Sequence, residues 1–225
     1  SQMEAFNTYA SYSSNTLNQG NFTTNGISVL LSLYINVNQT LSIPSGWSMI
    51  SINIVLDDYD LEAVLNPIIE DVIIAKNYLG NAYLPEFNFN GIGDINNSEG
   101  YQIKLQSAQN LPLNGEYIYP ENHPLNIPSG WSIISYLRTQ PASADQVLSD
   151  IISNVVIVKN YLGLAYLPEF NYNGIGDMVP GEGYQIKLNE PDTLLYLANN
   201  MEYRISSIPT ADTKTLWCKT PTTTD

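Results

Sequence analysis

Residues 76–94 read KNYLGNAYLPEFNFNGIGD, and residues 159–177 read KNYLGLAYLPEFNYNGIGD. Only Asn81/Leu164 and Phe89/Tyr172 differ. So irregular a string does not arise twice by chance. The chain is therefore built by duplication, and its fold must be one that can be made twice in succession. Flanking matches extend the repeat. IPSGWS occurs at 43–48 and 127–132, and GYQIKL at 100–105 and 183–188. The copies are 84 residues apart at Trp47/Trp131 and 83 at Lys76/Lys159, so a single deletion lies between them.

Each copy predicts the same elements. Pro-Ser-Gly is turn chemistry, and a strand starts at the following Trp. In the first copy Ile50, Ile52 and Ile54 alternate with Ser51 and Asn53, which predicts one buried and one outward face. Trp47 and Trp131 are expected as core anchors beside the turn, with sugar stacking as the alternative. A short helix follows. Asp60 is the expected cap in copy one, with Val64, Leu65, Ile68 and Ile69 on one face and Pro67 kinking or shortening it. In copy two Ser143 and Gln146 predict a capping box, with Val147, Leu148, Ile151 and Ile152 inward.

The β-branched runs 72–76 and 155–159 predict strands, with a Gly turn at Gly80 or Gly163 and a return strand stopped by Pro85 or Pro168. A Gly-rich loop and the period-2 strand GYQIKL come next, with Tyr101, Ile103 and Leu105 on one face. A further short strand near 116–119 or 194–197 closes each copy. The expected class is α+β, mostly β, as two tandem copies of a small β-rich module with one short helix each. The expected division is a polar arm and a strand ending a preceding unit over 1–39 (an apolar strand near 27–37), module one over 40–122, module two over 123–199, and a strand with a Thr-rich tail over 200–225. Half-units at both ends predict unpaired edges and assembly into a longer array or a multi-copy object.

Composition narrows the partners. The formal net charge is −14 and only 13% of residues are charged. That disfavours nucleic acid and anionic membrane, which want a basic face. No apolar run is long enough to span a membrane. Cys218 is the only cysteine, so no internal disulfide or CxxC site can form. The sole histidine, His123, has no counterpart in the second copy, and a catalytic triad finds no footing. GIGD and GEGY are not phosphate-cradling motifs.

Acids recur at Glu86/Glu169, Asp94/Asp177 and Glu99/Glu182. Paired acids can cleave a glycosidic bond, but sites rarely come in duplicate along one chain. Asp94 and Asp177 are the candidate ligands should calcium bind, and no cofactor is otherwise expected. The plainer reading has these two acids hydrogen-bonding their own Gly-rich loops. Tyr78, Tyr83 and Phe89, with Tyr161, Tyr166 and Tyr172, are the candidate surface aromatics for an adhesive or sugar-binding face, against the alternative that most of them cover a thin core.

The string GW-x-x-I-S, then KNYLG-x-AYLPEF-x-x-NGIGD, then GEGYQIKL resembles a tandem module of large secreted surface proteins of Bacteroidetes type and of marine phage virion proteins. The resemblance covers 43 to about 105 and 127 to about 188; copy one departs from it with NNSEGYQIK. It implies a non-enzymatic structural or adhesive module, exposed on a cell surface or virion. The expected partners are further copies, neighbouring structural subunits or glycans. It implies no catalytic residues.

Overall fold

A computed structural model describes residues 20–24, 27–31 and 36–199. The chain divides into two compact units, Tyr34–Asn199 and a second made of Ser1–Leu33 with Asn200–Asp225. Of the second unit the described part is one antiparallel hairpin, β1 (Gly20–Thr24) with β2 (Ile27–Leu31). The expected strand over 27–37 is thus β2 together with the start of β3, and residues 32–35 lie outside the described set.

The larger unit is mostly β, with short helices and several antiparallel sheets in two regions. The first region runs β3 (Asn36–Ile43), β4 (Gly46–Ile50), β5 (Ile54–Val55), α1 (Leu61–Leu65), β6 (Val72–Lys76), β7 (Ala82–Leu84), β8 (Phe89–Asn90), β9 (Tyr101–Leu105) and β10 (Gln109–Tyr117). The second runs β11 (Leu125–Ile127), β12 (Gly130–Ser135), β13 (Ala142–Ser143), α2 (Ala144–Val147), β14 (Val155–Lys159), β15 (Ala165–Leu167), β16 (Tyr172–Asn173), β17 (Asp177–Met178), β18 (Gly183–Leu188) and β19 (Asp192–Leu194). One five-stranded sheet has the order β4-β9-β6-β7-β8, the other β12-β18-β14-β15-β16. Trp47 pairs with Lys104 as Trp131 pairs with Lys187, and both sheets carry a bulge at the same place, Val72/Ile74 and Val155/Ile157. Each region has its own core cluster.

Local chemistry explains the shared elements. Tyr101, Ile103 and Leu105 are buried while Gln102 and Lys104 are half-exposed, the alternation their sequence predicts. Gly80 and Gly163 take positive φ in the hairpin turns, where Asn77 Oδ1 accepts from Leu79 N and Asn81 N, and Asn160 Oδ1 from Leu162 N and Leu164 N. The Gly-rich loops hold the helix starts: Leu61 N donates to Gly93 O at 3.2 Å, and Ala144 N to Gly176 O at 3.0 Å.

The helices are short, as expected, and each continues as a 3-10 stretch. Asp60 caps α1 by accepting from Ala63 N at 2.9 Å, and Pro67 opens a 3-10 stretch, Asn66–Asp71, that replaces further α-turns. Ser143 makes no capping bond, because its hydroxyl donates to Asp145 Oδ2 instead, so the expected capping box is absent. Ile152 is exposed rather than inward, since the chain leaves the helix at Ile151.

Residues 36–39, expected to close a preceding unit, belong to an eight-residue ladder between β3 and β10. The closing strand expected near 116–119 is longer, spanning β10, and its counterpart is β19. Ser51 and Asn53 were expected outward, yet both are buried. Their outward side faces the second region. Ser51 N donates to Gly181 O at 2.9 Å, Ser51 Oγ to Glu182 O at 2.7 Å, and Asn53 Nδ2 to Arg138 O at 3.1 Å.

The contact between the regions is reciprocal. Ile50 bridges to Glu182, and its counterpart Ile134 bridges to Glu99, the counterpart of Glu182. Ser135 N likewise donates to Ser98 O at 3.4 Å, and Ser135 Oγ to Asn97 O. Such an exchange is the signature of an isologous, two-fold interface, here formed inside one chain. Gly100 and Gly183 meet at its centre: a Cβ on Gly100 would lie 2.7 Å from Ile133 Cγ2, 2.9 Å from Ile134 O and 3.0 Å from Gly183 Cα.

Candidate binding groove

Trp47 and Trp131 are not core anchors. They are 46% and 44% exposed. Each starts a strand with its ring on the open face of a five-stranded sheet, because Ser48 and Ile50, and Ser132 and Ile134, take the covered side. Two lysines on neighbouring strands reach each ring. Lys76 Nζ and Lys104 Nζ lie 5.4 and 5.9 Å from the Trp47 centroid, and Lys159 Nζ and Lys187 Nζ lie 5.5 and 5.9 Å from that of Trp131. These are cation–π distances. Among the described residues these are all the lysines there are, and no carboxylate pairs with them.

A cleft of about 200 Å³ joins one sheet to the other on this face. Trp47, Met49 and Gln102 come from the first region, and Lys159, Tyr161 and Gln185 from the second. No acidic side chain lines it. Tyr161 also borders a neighbouring hollow of about 260 Å³, where Glu182 and Pro180 face Leu41 and Met49. Burial raises the Glu182 carboxyl above its ordinary value, partly countered by the hydrogen bond it accepts from Tyr184.

The six candidate aromatics separate. Tyr83 and Tyr166 are buried, at 2% and 1% exposure, so they belong to the cores and not to a surface. Each is the central residue of its three-residue return strand, with its side chain on the helix-covered face. Burial pushes both phenols up, helped by Glu62 and Asp60 at Tyr83 and by Asp145 at Tyr166. Tyr78 and Tyr161 are half-buried, and Phe89 and Tyr172 exposed. Of these, only Tyr161 lines the cleft.

Asp94 and Asp177 are exposed, and their backbones pair with Asp60 and Ser143 at the helix starts. Among the described residues no group of three or more His, Cys, Asp or Glu side chains is placed to hold a metal ion. The Gly-rich loops are held by a different residue than the sequence suggests. Asn90 Oδ1 accepts from Ile92 N and Gly93 N, and Asn173 Oδ1 from Gly176 N. His123 is exposed, its Nδ1 3.0 Å from Tyr119 O, and Cys218 lies outside the described residues.

Sequence reasoning missed the Trp–Lys arrangement, although a signal was present. Inward Ile50, Ile52 and Ile54 fix the phase of the strand, and that phase places Trp47 on the opposite face. Comparison of the chain with models of protein families, with curated proteins and with solved structures gave no match.

Proposed function

We propose that the chain is a non-enzymatic structural and adhesive piece of an extracellular surface or virion appendage, built from two tandem copies of one small β-rich module. Its partners are further copies or neighbouring subunits on one side and a surface polymer on the other. The observation that carries the reading is the repeated, half-exposed tryptophan at identical register in both sheets. A ring this large left on an open sheet face forgoes burial, which favours a contact role over a packing one. The same observation favours carbohydrate as the polymer, because an indole face and nearby amides suit a sugar ring. The recurring acids serve the fold in this reading: the Glu99 and Glu182 backbones form the inter-repeat bridges, and those of Asp94 and Asp177 pair at the helix starts.

The test is a glycan array and polysaccharide-retention assay with the intact chain and its Trp47→Ala/Trp131→Ala variant. The reading expects binding without turnover, lost in the variant. Polysaccharide cleavage that disappears with Glu86→Gln or Glu169→Gln would overturn it.

A further inference from the structure

We infer that the groove between the two sheets takes an acidic polysaccharide, carboxylated or sulfated, one ring of which sits in the cleft between Trp47 and Lys159. The inference rests on the adhesive reading above and adds the ligand's charge to it.

Three features point to an anion. The chain carries a formal −14, yet the described lysines are gathered on the two tryptophans of this one face. The cleft is lined by Lys159 and by three amide residues, Gln102, Asn160 and Gln185, and by no carboxylate. Gln102 and Gln185 are counterparts in the repeat, so the cleft contains the same donor from each copy. At physiological salt the Debye length is about 8 Å, so distant acids are screened while a lysine in the cleft acts at contact range. Local charge therefore decides which ligand the cleft admits, even in an acidic protein.

Size and shape favour a polymer over a small molecule. At about 200 Å³ the cleft is smaller than the roughly 300–1,000 Å³ of a pocket that encloses a whole drug-sized ligand. It is open to the sheet faces that carry Trp47, and Lys159 connects it to the Trp131 ring 5.5 Å away. One ring can lie against Trp47 and Tyr161 with its acidic group on Lys159. The next rings continue over Trp131 and Lys187, and the repeat supplies the second platform. Arg would serve as well as Lys for the charge, whereas a neutral amide would not.

The test is affinity electrophoresis of the intact chain through gels holding polygalacturonate, dextran sulfate or neutral dextran at about 0.15 M salt. The expected result is retardation by one or both acidic polymers and none by neutral dextran, fading as salt is raised. Trp47→Ala and Lys159→Gln should each weaken retention about tenfold, while Lys159→Arg keeps it. Thermal melts of each variant check that the fold is retained, and the Lys159 pair alters no core residue. If only the carboxylated or only the sulfated polymer binds, the source of the anion is identified. Equal retention by neutral dextran overturns the inference and leaves the adhesive reading standing. Failure of both acidic polymers to retain the chain, or retention indifferent to Lys159→Gln, also overturns it. Degradation of the polymer overturns both.

Discussion

Gly100→Ala tests the inter-repeat contact at its tightest point. The added methyl would sit 2.7, 2.9 and 3.0 Å from Ile133 Cγ2, Ile134 O and Gly183 Cα. Ordinary carbon contacts lie near 3.5–4.0 Å, so the methyl is about 0.5–0.8 Å too close. Two of the three neighbours are backbone and cannot rotate away. The strands must therefore separate, which strains the 2.9 Å bond from Gly100 N to Ile133 O. Overpacking costs roughly 1–3 kcal/mol. The stretched bond adds up to about 1 kcal/mol. The reduced entropy of the unfolded chain returns about 0.4–1 kcal/mol. The expected net loss is about 1–3 kcal/mol, or roughly 2–4 °C in Tm for each kcal/mol in a unit of this size. Urea denaturation followed by circular dichroism reads it as a lower midpoint with an unchanged or split transition. A midpoint within experimental error of the parent would refute the close approach and, with it, the reciprocal interface.

Trp131→Ala should cost well under the ~3–5 kcal/mol of a buried indole, because the ring is nearly half exposed; a loss in that upper range by denaturation would return it to the core. Glu182→Gln should stabilise the chain at neutral pH. The Glu182 pKa is raised on folding, so the folded state holds the extra proton and stability falls as pH rises from the unfolded pKa through the folded one. The advantage of Glu182→Gln should thus shrink as pH drops toward the ordinary carboxylate range, and an advantage independent of pH would contradict the assignment. Tyr136, Tyr184 and Tyr196 stack edge-on in the second core, and burial pushes all three phenols up, that of Tyr136 to about 12. Their folded values exceed the unfolded one, so stability is retained below pH ~10 and lost above it. An ultraviolet titration should show these phenols ionising together with unfolding, and free titration near pH ~10 would contradict their burial.

Much of the fold was legible because its strands are one-sided. GYQIKL and the β-branched runs 72–76 and 155–159 announce themselves by period and residue type, and the Gly turns follow from backbone sterics. The inter-repeat contact was not legible. Ser51 and Asn53 have the chemistry of solvent-facing residues, and only the arrival of the second copy turns their polarity into buried hydrogen bonds. Gly100 and Gly183 read as strand starts, since nothing local reveals that another backbone lies against them. Repeat 2 also fills its core differently, with Tyr136 and Tyr196 where repeat 1 has Ile52 and Leu113, so identical motifs surround different packing. Residue type alone sent Trp47 and Trp131 inward, where the structure leaves them half exposed, while the reading that most of the candidate aromatics cover a core holds for Tyr83 and Tyr166.

Collisional quenching reads directly whether this acidic chain presents its tryptophans in a positive local field. The third tryptophan, Trp217, lies outside the described residues and is removed as Trp217→Phe so that emission comes from Trp47 and Trp131. With two ammoniums within 5.4–5.9 Å of each ring, the ratio of iodide to caesium quenching at matched ionic strength should stand severalfold above that of free N-acetyltryptophanamide. Lys76→Gln and Lys159→Gln should lower the ratio toward that of the free amide. A ratio at or below that of the free amide, as the bare charge of −14 demands, would show that no positive field surrounds the rings.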